Sequence, residues 1–202
     1  ELNLLHDVHE RLAPADVLQF ARDLEPFRLF WLEDPLSIEN LDWLPRLRSG
    51  SIIPVALGEL FNHPREWNTV IEQRLVDFLR MHISQMGGLT PARKVAAFAE
   101  QYGVRTAWHG PGDQSPVGHA IGLHLNLVSP NFGVQEFAGF GRNTRDVFPG
   151  CPVLHRGHLW AHPDRFGHGV ELDEKAAAKF PRVDEVTTWT QTRLSDGSLT
   201  PP

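Results

Sequence analysis

Phe27-Arg28-Leu29-Phe30-Trp31-Leu32-Glu33-Asp34-Pro35 is an apolar run that ends in an acid and then breaks at a turn. Two other stretches repeat the pattern. Glu1-Leu2-Asn3-Leu4-Leu5-His6 runs into Asp7, and Ile52-Ile53-Pro54-Val55-Ala56-Leu57-Gly58 runs into Glu59. The steps from 7 to 33 and from 33 to 59 are both 26 residues. That is about the length of one strand, one helix and two loops in a β/α repeat. In a parallel barrel the strand C-termini share one face, so carboxylates placed there converge. Oxygen-only ligands suit a hard cation such as Mg²⁺. The expectation is therefore a metal site of Asp7, Glu33 and Glu59, of the kind that stabilises an anionic intermediate. Asp34 is read as a turn residue, because Pro35 follows it.

The segments around these runs alternate in the same sense. Pro14 to Leu24 places apolar residues at 17, 18, 20, 21 and 24, one helical face, with proline in the first turn. Helices are expected over Glu39–Leu47, Pro64–Glu72, Thr90–Tyr102 and Pro116–Leu127. Thr90 reads as an N-cap with Pro91 at N1, and Gly103 as the stop. Asp77–His82, Val104–Trp108 and Gly133–Phe137 read as further strands, which makes about six. Glu1 to Leu5 reads as a buried strand, so the chain is expected to continue a longer polypeptide whose remainder completes the barrel. From about Phe140 the periodicity is lost and Gly, Pro and His accumulate. Residues 1–140 are thus expected to form barrel strands and helices, and residues 141–202 an irregular segment packing over other parts of the molecule.

Bulk properties narrow the function classes. The 202 residues suffice for one domain with a core, and 41% are apolar. A net charge of −6, from 25 acids against 19 bases, offers no basic stripe for phosphates, so no nucleic-acid partner is expected. No apolar run approaches the ~18 residues of a membrane span. The single cysteine, Cys151, excludes an internal disulfide, and a cytoplasmic setting is expected.

Other residues could complete a site. His9 lies two positions beyond Asp7, and i and i+2 share a strand face, so it can point into the same cavity as a general acid or base. His109 and Asp113 flank Gly110-Pro111-Gly112, a turn that lets backbone approach a ligand closely, and their side chains could bind hydroxyls. Glu136 ends the last expected strand on the same face, and Arg80 could meet a carboxylate bidentately. His155, His158, His162 and His168 lie in a Gly/Pro-rich stretch without a thiolate partner and are read as loop residues.

Four motifs together resemble the enolase superfamily: Asp7-Val8-His9-Glu10-Arg11, Trp31-Leu32-Glu33-Asp34-Pro35, Gly58-Glu59-Leu60-Phe61 and Trp108-His109-Gly110-Pro111-Gly112-Asp113. Within it the chain looks like the mannonate dehydratase group, which includes galactonate-dehydratase-like and starvation-sensing-protein-like members. The resemblance extends into the tail, Gly167-His168-Gly169-Val170-Glu171-Leu172-Asp173-Glu174. It implies an α/β fold: the C-terminal portion of a modified (β/α)₈ TIM-type barrel, without the N-terminal α+β capping domain and first barrel strands. It implies Mg²⁺ held by Asp7, Glu33 and Glu59, with His9 as the acid that expels a 3-hydroxyl. Glu59, Arg80, His109, Asp113 and Glu136 would contact a sugar acid, D-mannonate or D-gluconate, on its way to a 2-keto-3-deoxy product. A homo-oligomer is implied too. The base for the C2 proton would be a Tyr paired with an Arg in polypeptide before Glu1, since the one tyrosine here, Tyr102, ends a helix. Pro111 stands where efficient members carry a small Ala, which implies slow turnover. A racemase or cycloisomerase of the superfamily is disfavoured by the absence of a strand-end lysine. A regulatory protein that keeps the metal site stays open.

Overall fold

The computed structural model describes residues 2–184. Its centre is a parallel sheet of five strands in sequential order: β1 (His6–Asp7), β2 (Leu32–Glu33), β3 (Val55–Leu57), β4 (Phe78–Leu79) and β5 (Arg105–Thr106). Each strand pairs with the next, in the register Asp7↔Glu33, Glu33↔Ala56, Ala56↔Phe78 and Phe78↔Arg105. Sequential order means that every right-handed crossover steps the same way, so the helices gather on one face, as in a barrel wall. Those helices are α1 (Pro14–Leu24), α2 (Leu44–Gly50), α3 (Pro64–Glu72), α4 (Leu89–Gln101) and α5 (Pro116–Val128).

Strand alternation sorts the core into two layers. Leu32, Val55, Leu57 and Leu79 face the helices and join Val17, Ala21, Leu44, Val70, Ile71, Val95 and Ala99 in the main core. Trp31, Ala56, Phe78 and Ala107 face the other way and form a second small cluster.

Several expectations need correction. Leu2, Leu4 and Leu5 are exposed rather than buried, because the first segment pairs on one side only, through Phe30 N–H to Leu4 O (2.6 Å) and His6 N–H to Trp31 O (3.2 Å). The helix expected over Glu39–Leu47 is a 3-10 segment (Ile38–Trp43) followed by α2. Asn40 leaves helical geometry, and Pro45 cannot donate into the preceding turn, so the helix restarts there. Helix α4 is capped at Gly88 (φ +94°), not Thr90, which lies inside it. The strand expected over Gly133–Phe137 is a single parallel bridge, Thr106↔Phe132. Gly133 lies so close to β4 and β5 that a Cβ would stand 2.8 Å from the Phe78 ring. Beyond it the chain leaves the ladder, and the carbonyl of Glu136 bonds to the Gln135 side chain instead.

The tail is more ordered than its composition suggests. It holds α6 (Arg142–Val147), a hairpin of β6 (Leu154–His155) and β7 (His158–Leu159), and α7 (Glu174–Ala177). It closes on itself: Glu171 N–H bonds to Pro149 O and Asp173 N–H to Val147 O, while Trp160 and Phe166 are exposed. Among the described residues no helix is long and apolar enough to cross a membrane. The part of 141–202 beyond residue 184 lies outside the described residues.

Candidate active site

The C-terminal ends of the strands bring Asp7, Glu33 and Glu59 into one neighbourhood, and Asp34 joins them. Among the described residues, the three groups whose ligand oxygens lie within 4.8 Å of one another are Asp7, Glu33 and Asp34. Asp34, read from sequence as a turn residue, is buried, and Glu59 stands beside it rather than in that triplet. The cause is backbone geometry. Asp34 follows Glu33 directly and would face the helices in a regular strand. Its φ of +37° breaks the alternation, and its Oδ1 accepts from Gly58 N–H (3.3 Å). Gly58 itself sits at φ +128°, where a Cβ would come 2.9 Å from the Phe61 ring. Only glycine makes that turn without strain, and it delivers Glu59 to the cluster.

Four carboxyls this close cannot all be ionised without compensation. Burial, then repulsion by Glu59 and Glu33, drives the Asp34 carboxyl well above its ordinary range. Burial also raises Glu59, whose carboxyl neighbours that of Asp34. Asp34 Oδ2 is buried and meets no N–H or O–H donor. An oxygen-only donor set with an orphaned buried oxygen and surplus negative charge fits a hard divalent cation.

Arg80 is the counterweight. It is 2% exposed, and its guanidinium gives Nε–H and Nη2–H to Glu33 Oε1 (2.9 and 2.5 Å), Nη2–H to Glu136 Oε2 (2.9 Å) and Nη1–H to Ala107 O (3.1 Å). Trp31 Nε1–H occupies the other Glu33 oxygen (2.7 Å), and the guanidinium lies over the Trp31 ring. The sequence assigned Arg80 to substrate. In the structure four of its five N–H groups hold protein, and one on Nη1 remains. Burial opposes the lowering of the Glu136 carboxyl, but Arg80 and the Gly110 N–H (2.6 Å) outweigh it.

The histidines stand on the open side. His9 takes φ +53°, its N–H bonds to Asp7 Oδ1 (2.8 Å), and its Nδ1 lies 3.4 Å from Asp7 Oδ2 and 3.8 Å from Glu59 Oε1. His109 places Nε2 3.2 Å from Glu59 Oε2 and packs edge-on against His82 at 5.5 Å. Burial lowers His109 to about 4, so its ring is neutral. Its buried Nδ1 has no partner. His9, Glu59, His109, Pro111 and Asp113 line one cavity of about 380 Å³ with Glu10, Arg11, Leu60 and Gln85. Glu10 was not singled out by sequence; burial, with Glu39 and Glu59 nearby, raises it to about 7. The sole tyrosine, Tyr102, stacks on Phe98 at the end of α4, away from this cavity.

A family model described as "Enolase C-terminal domain-like" matches residues 1–176. A D-galactonate dehydratase family member from Enterococcus gallinarum is 50% identical over 202 residues, all of this chain and 50% of that protein. One from Salmonella enteritidis is 48% identical over 201 residues, 100% of this chain and 48% of its own length. Among solved structures, an enolase from Pantoea ananatis with bound D-gluconate and Mg superposes with a TM-score of 0.96 at 47% identity, covering 100% of this chain and 48% of that one. The 3,6-anhydro-D-galactonate cycloisomerase from Zobellia galactanivorans follows at 26% identity and a TM-score of 0.76, over 88% of this chain and 50% of that one. The chain spans about half the length of the curated relatives it matches.

Proposed function

The chain belongs to the enolase C-terminal domain-like family, and from that premise we propose that it carries the metal-binding and leaving-group side of a sugar-acid dehydratase. The observation that carries the reading is that the acid cluster of Asp7, Glu33 and Asp34 adjoins Glu59, which with His9 and His109 lines one cavity, while Glu33, Arg80 and Glu136 line a second beside it. The galactonate dehydratase name of the relatives and the gluconate and Mg of the Pantoea ananatis structure support it.

In this reading Asp7, Glu33 and Glu59 would hold Mg²⁺, and Asp34 braces Glu59 from beneath. Mg²⁺, when bound, would supply positive charge to the carboxylate of an aldonic acid, whose C2–H is too weakly acidic to leave unaided. His9 is the acid for the departing 3-hydroxyl. Its Nδ1 is engaged by Asp7 and Glu59, which leaves Nε2 to give the proton. The Nε2 edge of His109, beside Glu59, and the Asp113 carboxylate would meet substrate hydroxyls, and Glu136 with the remaining Arg80 N–H would fix the other edge. The acceptor of the C2 proton is assigned to the Tyr–Arg pair that the resemblance implies, since Tyr102 is remote. The substrate is D-mannonate or D-gluconate and the product 2-keto-3-deoxy-D-gluconate.

A second reading, a family member that keeps the metal site but turns over slowly or serves regulation, has Pro111 behind it. The ring lines the cavity between His109 and Asp113 and fixes φ there. The test is Mg²⁺ titration by calorimetry together with turnover on D-gluconate, D-mannonate and D-galactonate. The first reading expects Mg²⁺-dependent release of a 2-keto-3-deoxy acid. Mg²⁺ binding without turnover favours the second, and no specific Mg²⁺ binding defeats both.

A further inference from the structure

His119 lies on α5, ten residues beyond His109, and is 1% exposed. Helix α5 starts from a Ser115 cap whose Oγ accepts from Gly118 N–H, so the next residue points back over the loop that precedes the helix. There His119 Nε2 lies 3.2 Å from the carbonyl oxygen of Pro111, at the centre of the Gly110-Pro111-Gly112 turn. Phe137 and Phe140 hold the ring edge-on at 5.4 and 5.1 Å. Its Cε1 would stand 3.0 Å from a Cβ on Gly110, and the same Cβ would be 2.5 Å from the carbonyl oxygen of Glu136. Gly110 is thus clamped between the imidazole and the Glu136 backbone, and its N–H bonds to the Glu136 carboxylate.

Burial lowers the His119 pKa, so the ring is neutral. A neutral ring has one N–H, and a carbonyl partner places it on Nε2. Among the described residues, the one polar group that this buried imidazole meets is therefore a backbone oxygen of the turn that carries His109 and Asp113. Its Nδ1 has no partner, a cost that an apolar residue would not incur. What the imidazole supplies and a phenylalanine would lack is the donor to Pro111 O.

We propose that His119 is a positioning residue: it fixes the 109–113 turn, and with it the placement of His109 and Asp113 in the cavity, by donating to the Pro111 carbonyl. The assignment of those two side chains to a sugar acid rests on the function proposed above, whereas the fixing of the turn does not.

Hydrogen exchange at the Gly110 amide reads the turn directly, without substrate. His119→Phe keeps the ring volume and removes the donor; His119→Gln places an amide N–H near the position of Nε2. We expect exchange at Gly110 to speed up about tenfold in His119→Phe, the scale of one lost hydrogen bond, and to return to within about threefold of the parent in His119→Gln. With D-gluconate as substrate, KM should rise about tenfold in His119→Phe while kcat and Mg²⁺ affinity change less than about threefold, and His119→Gln should recover KM. Should the Phe variant fail to fold, His119→Asn, too short to reach Pro111, takes its place in the comparison. Parental exchange in His119→Phe, or a Gln variant no better than Phe or Asn, overturns the proposal. A parent protein without aldonate turnover defeats the functional reading alone, because the exchange data still decide the role of His119.

Discussion

Replacing Arg80 with Met tests whether the buried cation is what makes this cluster of acids tolerable. Methionine keeps much of the apolar stem and removes four hydrogen bonds and the charge. The side chains of Glu33 and Arg80 are 7% and 3% exposed, so Glu33 would be left as an uncompensated buried carboxylate. Breaking a buried pair from one side costs about 3–5 kcal/mol. Glu136 adds little to this, because its side chain is 38% exposed and water can take over part of its solvation. At about 2–4 °C of Tm per kcal/mol for a protein of this size, Tm should fall by roughly 6–20 °C in metal-free buffer. Excess Mg²⁺ should recover part of the loss if Glu33 is a ligand. The pH dependence has a definite sign. The folded-state pKa of Glu136 lies below its ordinary value, so its pairing stabilises the fold above the unfolded pKa and is lost as pH falls through the folded one. Arg80→Met should flatten that acid limb. Differential scanning calorimetry at neutral and acid pH makes both measurements. A variant melting within about 2 °C of the parent, with the acid limb unchanged, would refute the argument.

Other perturbations separate the remaining roles. His9→Asn should lower kcat by about 10²–10⁴ while Mg²⁺ affinity stays within about threefold, and wild-type dehydration by this variant would remove His9 from the mechanism. Glu59→Gln should weaken Mg²⁺ binding and abolish turnover together; calorimetry showing unchanged Mg²⁺ affinity would make Glu59 a substrate ligand only. Asp34→Asn removes a repelling carboxyl but keeps an acceptor for Gly58 N–H, so the fold should be retained, and a greater loss of Mg²⁺ affinity than in Glu59→Gln would make Asp34 the third ligand. Gly110→Ala forces backbone apart, because its Cβ would lie 2.5 Å from Glu136 O. It should cost about 1–3 kcal/mol of stability in denaturant titration, and a cost near zero would mean that the turn is free to shift.

The sequence showed the β/α repeat because each strand is an apolar run and each main helix has one apolar face. Pro14–Leu24 and Pro64–Glu72 are placed as expected, and α5 runs one residue further than expected. It did not show Asp34, because acid-before-proline is the ordinary signature of a turn and nothing local reports that this turn is buried. Nor did it show His119, which looks like any helix histidine. Its meaning lies in a carbonyl eight positions back and two phenylalanines eighteen and twenty-one positions ahead. The tail has no legible period because its helices are only four to six residues long and its two-residue strands lie in no apolar run.

The site itself is made by breaking the rule that makes the sheet. Strict alternation puts Glu33 above Trp31, Arg80 above Phe78 and His109 above Ala107, each two residues beyond a member of the apolar inner layer. By that rule the position above Ala56 is Gly58, which has no side chain, and the neighbours Asp34 and Glu59 should face the helices. Positive φ at Asp34 and at Gly58 reverses this and brings both acids inward. Two regular carboxylates, Asp7 and Glu33, thereby become four, with one buried arginine against them. Such a cluster is costly in an empty fold, as the displaced pKa values of Asp34 and Glu59 record. Backbone strain and electrostatic strain fall on the same residues, and a divalent cation would relieve the electrostatic part. The distortion is therefore best understood as structure maintained for a ligand, and the cost of the unliganded cluster should appear as a rise in Tm when Mg²⁺ is added.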